Sequence, residues 1–297
     1  ADVIVTTLVS SGNYYINEIK DQFSLLIVDE ASQATELITL IPFCYDIPKA
    51  ILIGDSKQLP PTVINSEITR HNFDRSFFLR LDSNSPNSVH LLNIQYRMHP
   101  MISRLSSKCF YSNKIVNGNN VVSKKWYKEW CRQNKDFGPL VFYDVKGFTN
   151  NSNASLNNVK EVSEIIDYIK KFIQSPEFIN FNTEISIISP YHDNDIIEKK
   201  EKKNIIKRFN ILDNIKVNTV DSYQGQESDI VILSCVRSRT TKLGFLQDKR
   251  RLNVSITRAR YSLIIFGDSE TLCKDKEWEK IINEIKMMKC YRTVSIL

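Results

Sequence analysis

No apolar run in the sequence approaches the roughly 20 residues that a helix needs to span a bilayer, which argues against a membrane protein. No two cysteines have the two-residue spacing of a zinc knuckle, and the four histidines form no ligand cluster. We therefore expect neither a structural nor a catalytic zinc site. The six cysteines are widely and irregularly spaced, which is typical of free thiols in a reducing compartment.

The sequence also lacks an initiator methionine, a signal peptide and a basic leader before its first apolar segment. We therefore expect it to be a piece of a longer protein. Its 297 residues suffice for one large or two ordinary domains. The net charge of +6 is compatible with a polyanionic partner such as nucleic acid, although charge alone leaves that partner open.

Short apolar runs alternate with helical patterns along the chain. Such runs, separated by amphipathic stretches, are typical of parallel strands that helices cover on both faces, so the predicted fold class is α/β with parallel sheets. Residues 157–174 have the apolar spacing of a surface helix that covers a sheet. The predicted strands are residues 3–7, 25–28, 51–53, 140–143, 184–188, 230–235 and 263–266.

Two polar stretches interrupt this pattern. Residues 82–88 are the candidate domain linker, and residues 146–158, rich in Asn and Ser, are predicted to form a long loop. For the lysine-rich residues 198–208 we favour a solvated helix face over a specific nucleic-acid contact.

Two acids, Asp29 and Glu30, directly follow the predicted strand 25–28. Ligands bind at the carboxyl end of a parallel sheet. In a nucleotide hydrolase the first acid holds Mg²⁺, a cation that prefers oxygen ligands, and the second accepts a proton from the attacking water. The alternative is a helix start, in which both acids only favour the positive end of the helix dipole.

A second predicted strand, 51–53, ends in Gly54 and is followed by Gln58 and two prolines. Glycine permits a tight exit, Gln58 could orient a phosphate or water, and the prolines stiffen the loop. By itself this segment could be an ordinary turn. Neighbouring parallel strands, however, would bring Gln58 into one crevice with Asp29 and Glu30.

Residues 95–100 place an aromatic ring, a guanidinium and an imidazole in one short turn. The face of Tyr96 can stack on a purine, and Arg97 can bind phosphate oxygens through two nitrogens. For His99 we favour a structural, hydrogen-bonded role at a turn bounded by proline.

Two later segments complete the set. Residues 217–227 combine hydroxyls, amides, one glycine and acids without apolar periodicity, which suits a phosphate backbone or a ribose. Residues 248–261 contain four arginines, among them Arg251 and Arg258, around apolar positions. A solvated basic helix is the alternative, but Val254 and its apolar neighbours would anchor one side against a core.

Together these five segments resemble superfamily 1 helicases of the nonsense-decay-helicase and senataxin group, in the same order and over almost the whole chain. Residues 41–42 and 244–248 are most similar to senataxin. The segments resemble the family's motif II at residues 29–30, motif III at 54–61, motif IV at 95–100, motif V at 219–227 and motif VI at 253–260.

The resemblance implies RecA-like lobes of the phosphate-loop type, with ATP and Mg²⁺ bound between them. It also implies a role for each matching residue. Asp29 would hold Mg²⁺, Glu30 would be the general base, Gln58 would sense the γ-phosphate, Tyr96 would stack on adenine, Arg97 and Arg258 would clamp the transferring phosphate, and Glu227 would touch the ribose.

For nucleic acid, the resemblance implies a monomeric motor that moves 5′ to 3′ along single-stranded RNA or DNA. In the senataxin group it further implies RNA–DNA hybrids and the nucleus, although the sequence leaves the cytoplasm open. The implied strand contacts are Thr7, Ser10, Ser11, Gly12, Pro60, Thr219 and Ser222.

One family feature is missing, because no Gly-Lys pair occurs in the 297 residues. A phosphate loop needs glycines followed by Gly-Lys-Thr or Gly-Lys-Ser to cradle the phosphates. We therefore expect that loop upstream in the parent chain and little ATPase activity from these residues alone. Residues 1–86 are predicted to be the rear part of the first RecA-like lobe, and residues 87–297 the complete second lobe.

The main alternative to an ATP-driven helicase is a helicase-derived scaffold that binds nucleic acid without catalysis. A phosphate loop in the upstream sequence would favour the enzyme, and its absence the scaffold. A nuclease-helicase would need an acidic metal cluster and a lysine outside these motifs, and the sequence offers none.

Overall fold

The computed structural model describes residues 1–63, 65–123, 128, 135–152, 155–175, 183–191 and 215–294. The chain forms two compact units, Ala1–Leu92 and Asn93–Leu297. The predicted linker, residues 82–88, is mostly helical: Ser76 caps a helix that continues to Asn84, and a 3₁₀ turn follows at Pro86–Ser88. The predicted linker therefore belongs to the first unit, which continues to Leu92.

The first unit has a two-stranded parallel sheet in which Val28 lies opposite Leu52. The predicted strand at residues 3–7 is wrong, since those residues form no strand and Val3 and Val5 are 76% and 92% exposed. Within the described part of the chain no second strand pairs with them, so their apolar pattern has no sheet to join. The elements are β1 (Leu26–Val28), β2 (Ala50–Leu52), α1 (Tyr14–Glu18), α2 (Glu36–Leu40), α3 (Ser66–Thr69) and α4 (Phe77–Asn84).

The second unit contains a six-stranded sheet with the order β12-β5-β11-β10-β8-β9, and every neighbouring pair is parallel. The predicted α/β class with a parallel sheet is therefore confirmed. The six strands are β5 (Leu140–Asp144), β8 (Ile185–Ser189), β9 (Ile215–Thr219), β10 (Ser228–Ser234), β11 (Ala259–Gly267) and β12 (Tyr291–Thr293).

The remaining elements of the second unit are two small sheets and six helices among the described residues. They are β3 (Ile94–Gln95) paired with β4 (Val116–Asn117), β6 (Asn150–Ser152) paired with β7 (Ser155–Asn157), α5 (Pro100–Phe110), α6 (Asn119–Val122), α7 (Val159–Gln174), α8 (Lys249–Ile256), α9 (Ser269–Leu272) and α10 (Lys276–Met287). No helix in the described ranges is long and apolar enough to cross a bilayer.

Helices cover both faces of the large sheet. The predicted helix at 157–174 is α7, which begins after Asn158, whose side chain accepts a hydrogen bond from the Glu161 backbone. Its inward side chains, such as Ile165 and Phe172, join alternate residues of the strands in one apolar core. Burying each such side chain stabilises the folded state by about 1.5–3 kcal/mol relative to leaving it exposed. Helices α5 and α10 pack against β11 and β5 and lie outside that core cluster.

Several strands were not predicted, among them β9 and the two strands of a hairpin. Strand β9 lies at one end of the sheet, where Lys216 is exposed. Its polar residues interrupt the apolar run that marks a strand buried on both faces, so the strand was missed. The predicted loop 146–158 contains the hairpin β6–β7, in which Asn151 lies opposite Leu156. Asn and Ser have low strand propensity, which is why this segment resembles a loop. The lysine-rich residues 198–208 lie outside the described ranges.

Candidate functional site

The carboxyl edge of the first unit carries the acidic pair. The Ile53 amide donates to the Val28 carbonyl at 2.8 Å, and the Ala31 amide donates back to Ile53 at 2.7 Å. Asp29 and Glu30 follow β1 and are exposed to solvent. The two strands therefore end side by side, with both carboxylates at the edge where a ligand of a parallel sheet is expected.

A chain of hydrogen bonds connects Gln58 to the loop after β1. The Gln58 amide donates to the Asp55 carboxylate at 2.8 Å, and the Asp55 backbone donates to the Ser32 hydroxyl at 3.2 Å. Gly54 permits this approach, because a Cβ atom there would lie 2.9 Å from the Ser32 nitrogen. Pro60, half-buried, follows two residues after Gln58. Gln58 is thus held to the same edge as the acids.

Glu30 has a left-handed backbone conformation, with φ of 50°. Such a conformation costs a residue other than glycine about 1 kcal/mol or more. The helix that starts here, Ala31–Gln33, is a single 3₁₀ turn, so a helix dipole gives the acids little stabilisation. The Glu30 carboxylate instead accepts a hydrogen bond from the Gln33 side chain at 2.7 Å.

The first group of expected strand contacts forms one turn. The Thr7 hydroxyl donates to the Ser10 hydroxyl at 2.9 Å, and both residues are exposed, as is Gly12. Ser11 is buried, and its hydroxyl donates to the Leu8 carbonyl at 2.6 Å. The turn therefore presents the hydroxyls of Thr7 and Ser10, while that of Ser11 holds the turn together.

In the second unit, Gln95 shapes the turn that carries Tyr96 and Arg97. Its side-chain oxygen accepts hydrogen bonds from the backbones of Arg97 at 3.0 Å and Met98 at 2.7 Å. Its nitrogen donates to the Asn117 side chain at 2.6 Å. No role for Gln95 could be predicted from the sequence, because its partner on β4, Asn117, is not adjacent in sequence.

His99 has the structural role that we favoured. It is buried, and its Nδ1 accepts a hydrogen bond from the Met101 amide at 3.1 Å, which caps helix α5. Its backbone donates to the Arg260 carbonyl at 2.7 Å. Burial lowers the pKa of His99 to about 4, so the imidazole is neutral at physiological pH.

Tyr96 presents an open aromatic face. The residue is 59% exposed. Its ring lies directly against Gly118, where a Cβ atom would come within 2.4 Å of the ring carbons. The Asn120 side chain donates to the Tyr96 carbonyl at 2.9 Å. Glycine at 118 thus lets the ring come close to the backbone, and the exposed part of the ring is a surface on which a planar base can stack.

Glu227 joins two arginines at the amino-terminal edge of the large sheet. One of its oxygens accepts a hydrogen bond from Arg97, and the other accepts one from Arg260 at 2.9 Å. Arg260 also donates to Asp229 at 3.1 Å. Burial would raise the pKa of Glu227, but Arg260 and Arg97 together outweigh it and hold that pKa below its ordinary value.

Arg258 is buried, with 3% of its surface exposed. The solvated alternative for this residue is therefore wrong. Helix α8 ends at Ile256, so Arg258 lies between α8 and β11 rather than within a helix. Its guanidinium donates to the Val254 carbonyl at 3.0 Å and to the Thr257 hydroxyl at 3.1 Å. These contacts fix the side chain in one position beside the start of β11.

Thr219 and Ser222 lie at the other edge of the same sheet. Thr219 ends β9, and its hydroxyl donates to that of Ser222 at 3.0 Å. Glu227 directly precedes β10, whose seven residues span about 20 Å. The residues expected to bind nucleotide and those expected to bind a strand are therefore separated by the length of the sheet.

Two family models match the chain. Both are described as an AAA domain, and they match residues 1–66 and 73–270. The helicase sen1 of Schizosaccharomyces pombe is 39% identical over 96% of this chain and 17% of its own length. The helicase SEN1 of Saccharomyces cerevisiae is 36% identical over 98% of this chain and 13% of its own length.

A third relative, the probable helicase senataxin of Homo sapiens, is 34% identical over 95% of this chain and 11% of its own length. The chain therefore belongs to the AAA-domain family and, within it, to the superfamily 1 helicases of the senataxin group. It spans less than a fifth of the length of these three relatives.

Proposed function

We propose that this chain is the part of an ATP-driven helicase that hydrolyses ATP with Mg²⁺ and moves along a single strand. The observation that carries the proposal is the cluster around Glu227, where two arginines and the open face of Tyr96 lie at one edge of the sheet. Guanidinium groups and an aromatic platform suit a nucleoside triphosphate, because they complement its phosphates and its base.

The acidic edge of the first unit supplies the complementary chemistry. Asp29 and Glu30 are exposed carboxylates at a strand end, which suits Mg²⁺ as a hard cation and a water that must lose a proton. We assign Mg²⁺ to Asp29, the general base to Glu30 and phosphate sensing to Gln58. The bound Mg²⁺ would neutralise phosphate charge.

In the second unit we assign adenine stacking to Tyr96, the ribose to Glu227, and stabilisation of the transferring phosphate to Arg97 and Arg258. Glu227 holds Arg97 in the present structure. Binding of nucleotide would therefore exchange that ion pair for contacts to ribose and phosphate. Arg258 already has a fixed position, so little reorganisation is needed for it to act.

For the nucleic acid, we propose a single strand of RNA or DNA and movement from 5′ to 3′, with RNA–DNA hybrids in the nucleus as the setting. A translocating motor holds the backbone, so hydroxyl-rich turns suit it better than base-specific contacts. The proposed contacts are Thr7, Ser10, Ser11, Gly12, Pro60, Thr219 and Ser222.

We further propose that the unit ending at Leu92 is the rear part of the first RecA-like lobe, that the unit beginning at Asn93 is the second lobe, and that the motor is monomeric. The phosphate loop would come from outside these residues, since they contain no Gly-Lys pair. With such a loop supplied by the same parent chain, the protein would turn over ATP. The isolated residues would not.

The test is ATP hydrolysis by the full-length protein with and without single-stranded RNA or DNA. Glu30→Gln should retain ATP affinity and abolish turnover, because the amide fills the same space and cannot accept a proton. Loss of affinity with intact turnover per bound nucleotide would refute the assignment. A wild-type protein that binds strands without hydrolysing ATP would instead be the scaffold.

A further inference from the structure

The loop after β10 carries two arginines whose guanidinium groups have no carboxylate partner in the part of the chain that the structure describes. Arg237 lies over the ring of Tyr191, 5.1 Å from its centroid, and donates to the Tyr191 hydroxyl at 2.8 Å. Arg239 is exposed and lies 4.3 Å from the centroid of the Phe148 ring. We name Phe148, Tyr191, Arg237 and Arg239 the edge platform.

The backbone of this loop is strained and firmly held. Val236 and Arg239 both have left-handed conformations, with φ of 67° and 53°. The Val236 amide donates to the Glu161 carboxylate at 2.9 Å, and the Arg239 amide donates to Asp268 at 3.0 Å. The Ser238 hydroxyl also donates to Asp268, at 2.8 Å. Strain of this kind persists only where surrounding contacts impose it, and here it fixes where both arginines emerge.

Phe148 is the exposed aromatic ring of the edge platform, with 63% of its surface in solvent. An exposed aromatic ring beside a cation is a surface on which a nucleobase can stack, while the guanidinium binds phosphate. The nearby lysine, Lys146, forms an ion pair with Glu270, so among the described residues Arg237 and Arg239 supply the positive charge of the edge platform.

The edge platform lies at the same edge of the large sheet as Thr219 and Ser222. Phe148 lies beyond the carboxyl end of β5, the two arginines follow β10, and Thr219 ends β9. In the order of the sheet, β5 is four places from β9, which is about 19 Å at the usual strand spacing. This edge therefore carries hydroxyls after β9, arginines after β10 and an aromatic ring after β5.

We propose that a single-stranded nucleic acid continues from Thr219 and Ser222 across the edge platform, with Arg237 and Arg239 binding its phosphates and Phe148 stacking on a base. This inference rests on the proposed function and extends the strand interface to residues that the family motifs do not contain. An acidic protein segment would use the charges but would gain little from the flat face of Phe148.

The experiment measures binding of a fluorescein-labelled oligouridine of about 16 nucleotides to the full-length protein, by anisotropy across a series of salt concentrations. Phe148→Ala should raise the dissociation constant about tenfold, because it removes one stacking contact, and Phe148→Trp should restore affinity. Arg239→Gln should reduce the slope of log affinity against log salt by about 0.7, the value for one phosphate contact on a single strand.

The matched control is Lys286→Gln. Lys286 is exposed and lies over the ring of Tyr291, so this variant removes the positive charge from a second cation–π pair. It should leave affinity and salt slope unchanged. Each variant should also keep the ATP hydrolysis rate measured without a strand, which shows that it is folded.

The possible results distinguish a failure of the edge platform from a failure of the proposed helicase function. Wild-type affinity in Phe148→Ala and Arg239→Gln, with normal binding by the wild type, overturns the edge platform alone. A wild-type protein that binds no single strand overturns the proposed function and this inference with it. If the same variants weaken binding of a labelled polyglutamate peptide rather than of oligouridine, the platform belongs to an acidic protein partner and our assignment is wrong.

Discussion

Replacing Glu161 by glutamine should make the protein more stable at alkaline pH. Glu161 is fully buried at the start of α7, where one carboxylate oxygen accepts hydrogen bonds from the Ser234 hydroxyl at 2.6 Å and the Val236 amide at 2.9 Å. The other oxygen has no hydrogen-bond partner among the residues that the structure describes. A buried carboxyl group with hydrogen bonds to only one oxygen destabilises the folded state strongly when it is charged and much less when it is protonated.

Burial raises the pKa of Glu161 to about 7, with a further contribution from the Asp268 carboxylate, against the opposing hydrogen bonds from Ser234 and Val236. Burial also raises the pKa of the Cys235 thiol, which lies near the same carboxyl group, so the thiol stays neutral. The folded state therefore holds a proton on Glu161 that the unfolded state releases near pH 4.5. That stabilisation is present below the unfolded pKa and is lost as the pH rises through 7.

The magnitude follows from the shift. Between pH 5 and pH 8 the wild type should lose about 2.5 kcal/mol of stability through this group alone. Glutamine resembles the protonated acid and does not titrate. The free energy of unfolding of Glu161→Gln minus that of the wild type should therefore grow by about 2.5 kcal/mol across this range.

The assay is urea unfolding of both proteins at several pH values between 5 and 8. Asp167→Asn, an exposed position on the same helix, is the control, and its difference from the wild type should stay below about 0.5 kcal/mol at each pH. A difference between Glu161→Gln and the wild type that does not change with pH would refute the reasoning.

Two further predictions concern binding. Gly118→Ala should raise the KM for ATP several-fold, because the new methyl group displaces the Tyr96 ring. Stability should change little, because the backbone conformation of Gly118 suits alanine. ATP titration of hydrolysis by the full-length protein measures the KM, and an unchanged KM would show that Tyr96 does not contact the base. The affinity for single strands should fall steeply with salt concentration and vary little with base sequence. Fluorescence anisotropy with oligonucleotides of different composition measures both. A strong sequence preference would contradict a motor that holds the backbone.

The central strands were predictable because they are buried on both faces and so are apolar almost throughout. Strand β9, at one end of the sheet, was not, because Lys216 within it faces solvent, and the hairpin β6–β7 was not, because Asn has low strand propensity. The apolar residues 3–7 predicted a strand, but pairing depends on a neighbouring strand that no local pattern reveals.

The candidate site shows the same limit. The short segments with Asp29, Tyr96 and Arg258 were identifiable because each concentrates polar groups beside an apolar strand or turn. Gln95 and Arg260 were not assigned roles, since their partners Asn117 and Glu227 lie 22 and 33 residues away. Contacts at such separations are set by the fold, which also determines that Arg258 is buried.

The central claim is that Arg258 stabilises charge that develops on the transferring phosphate. The most direct test measures the strand-stimulated ATP hydrolysis rate and the ATP dissociation constant for full-length wild type, Arg258→Ala and Arg258→Lys. We predict a loss of turnover of about 10³ to 10⁵ in Arg258→Ala, weak rescue by lysine, and little change in ATP affinity. Because Arg258 is buried, a thermal unfolding curve close to that of the wild type must accompany this result. Turnover near that of the wild type, or a loss explained entirely by weaker ATP binding, would contradict the account.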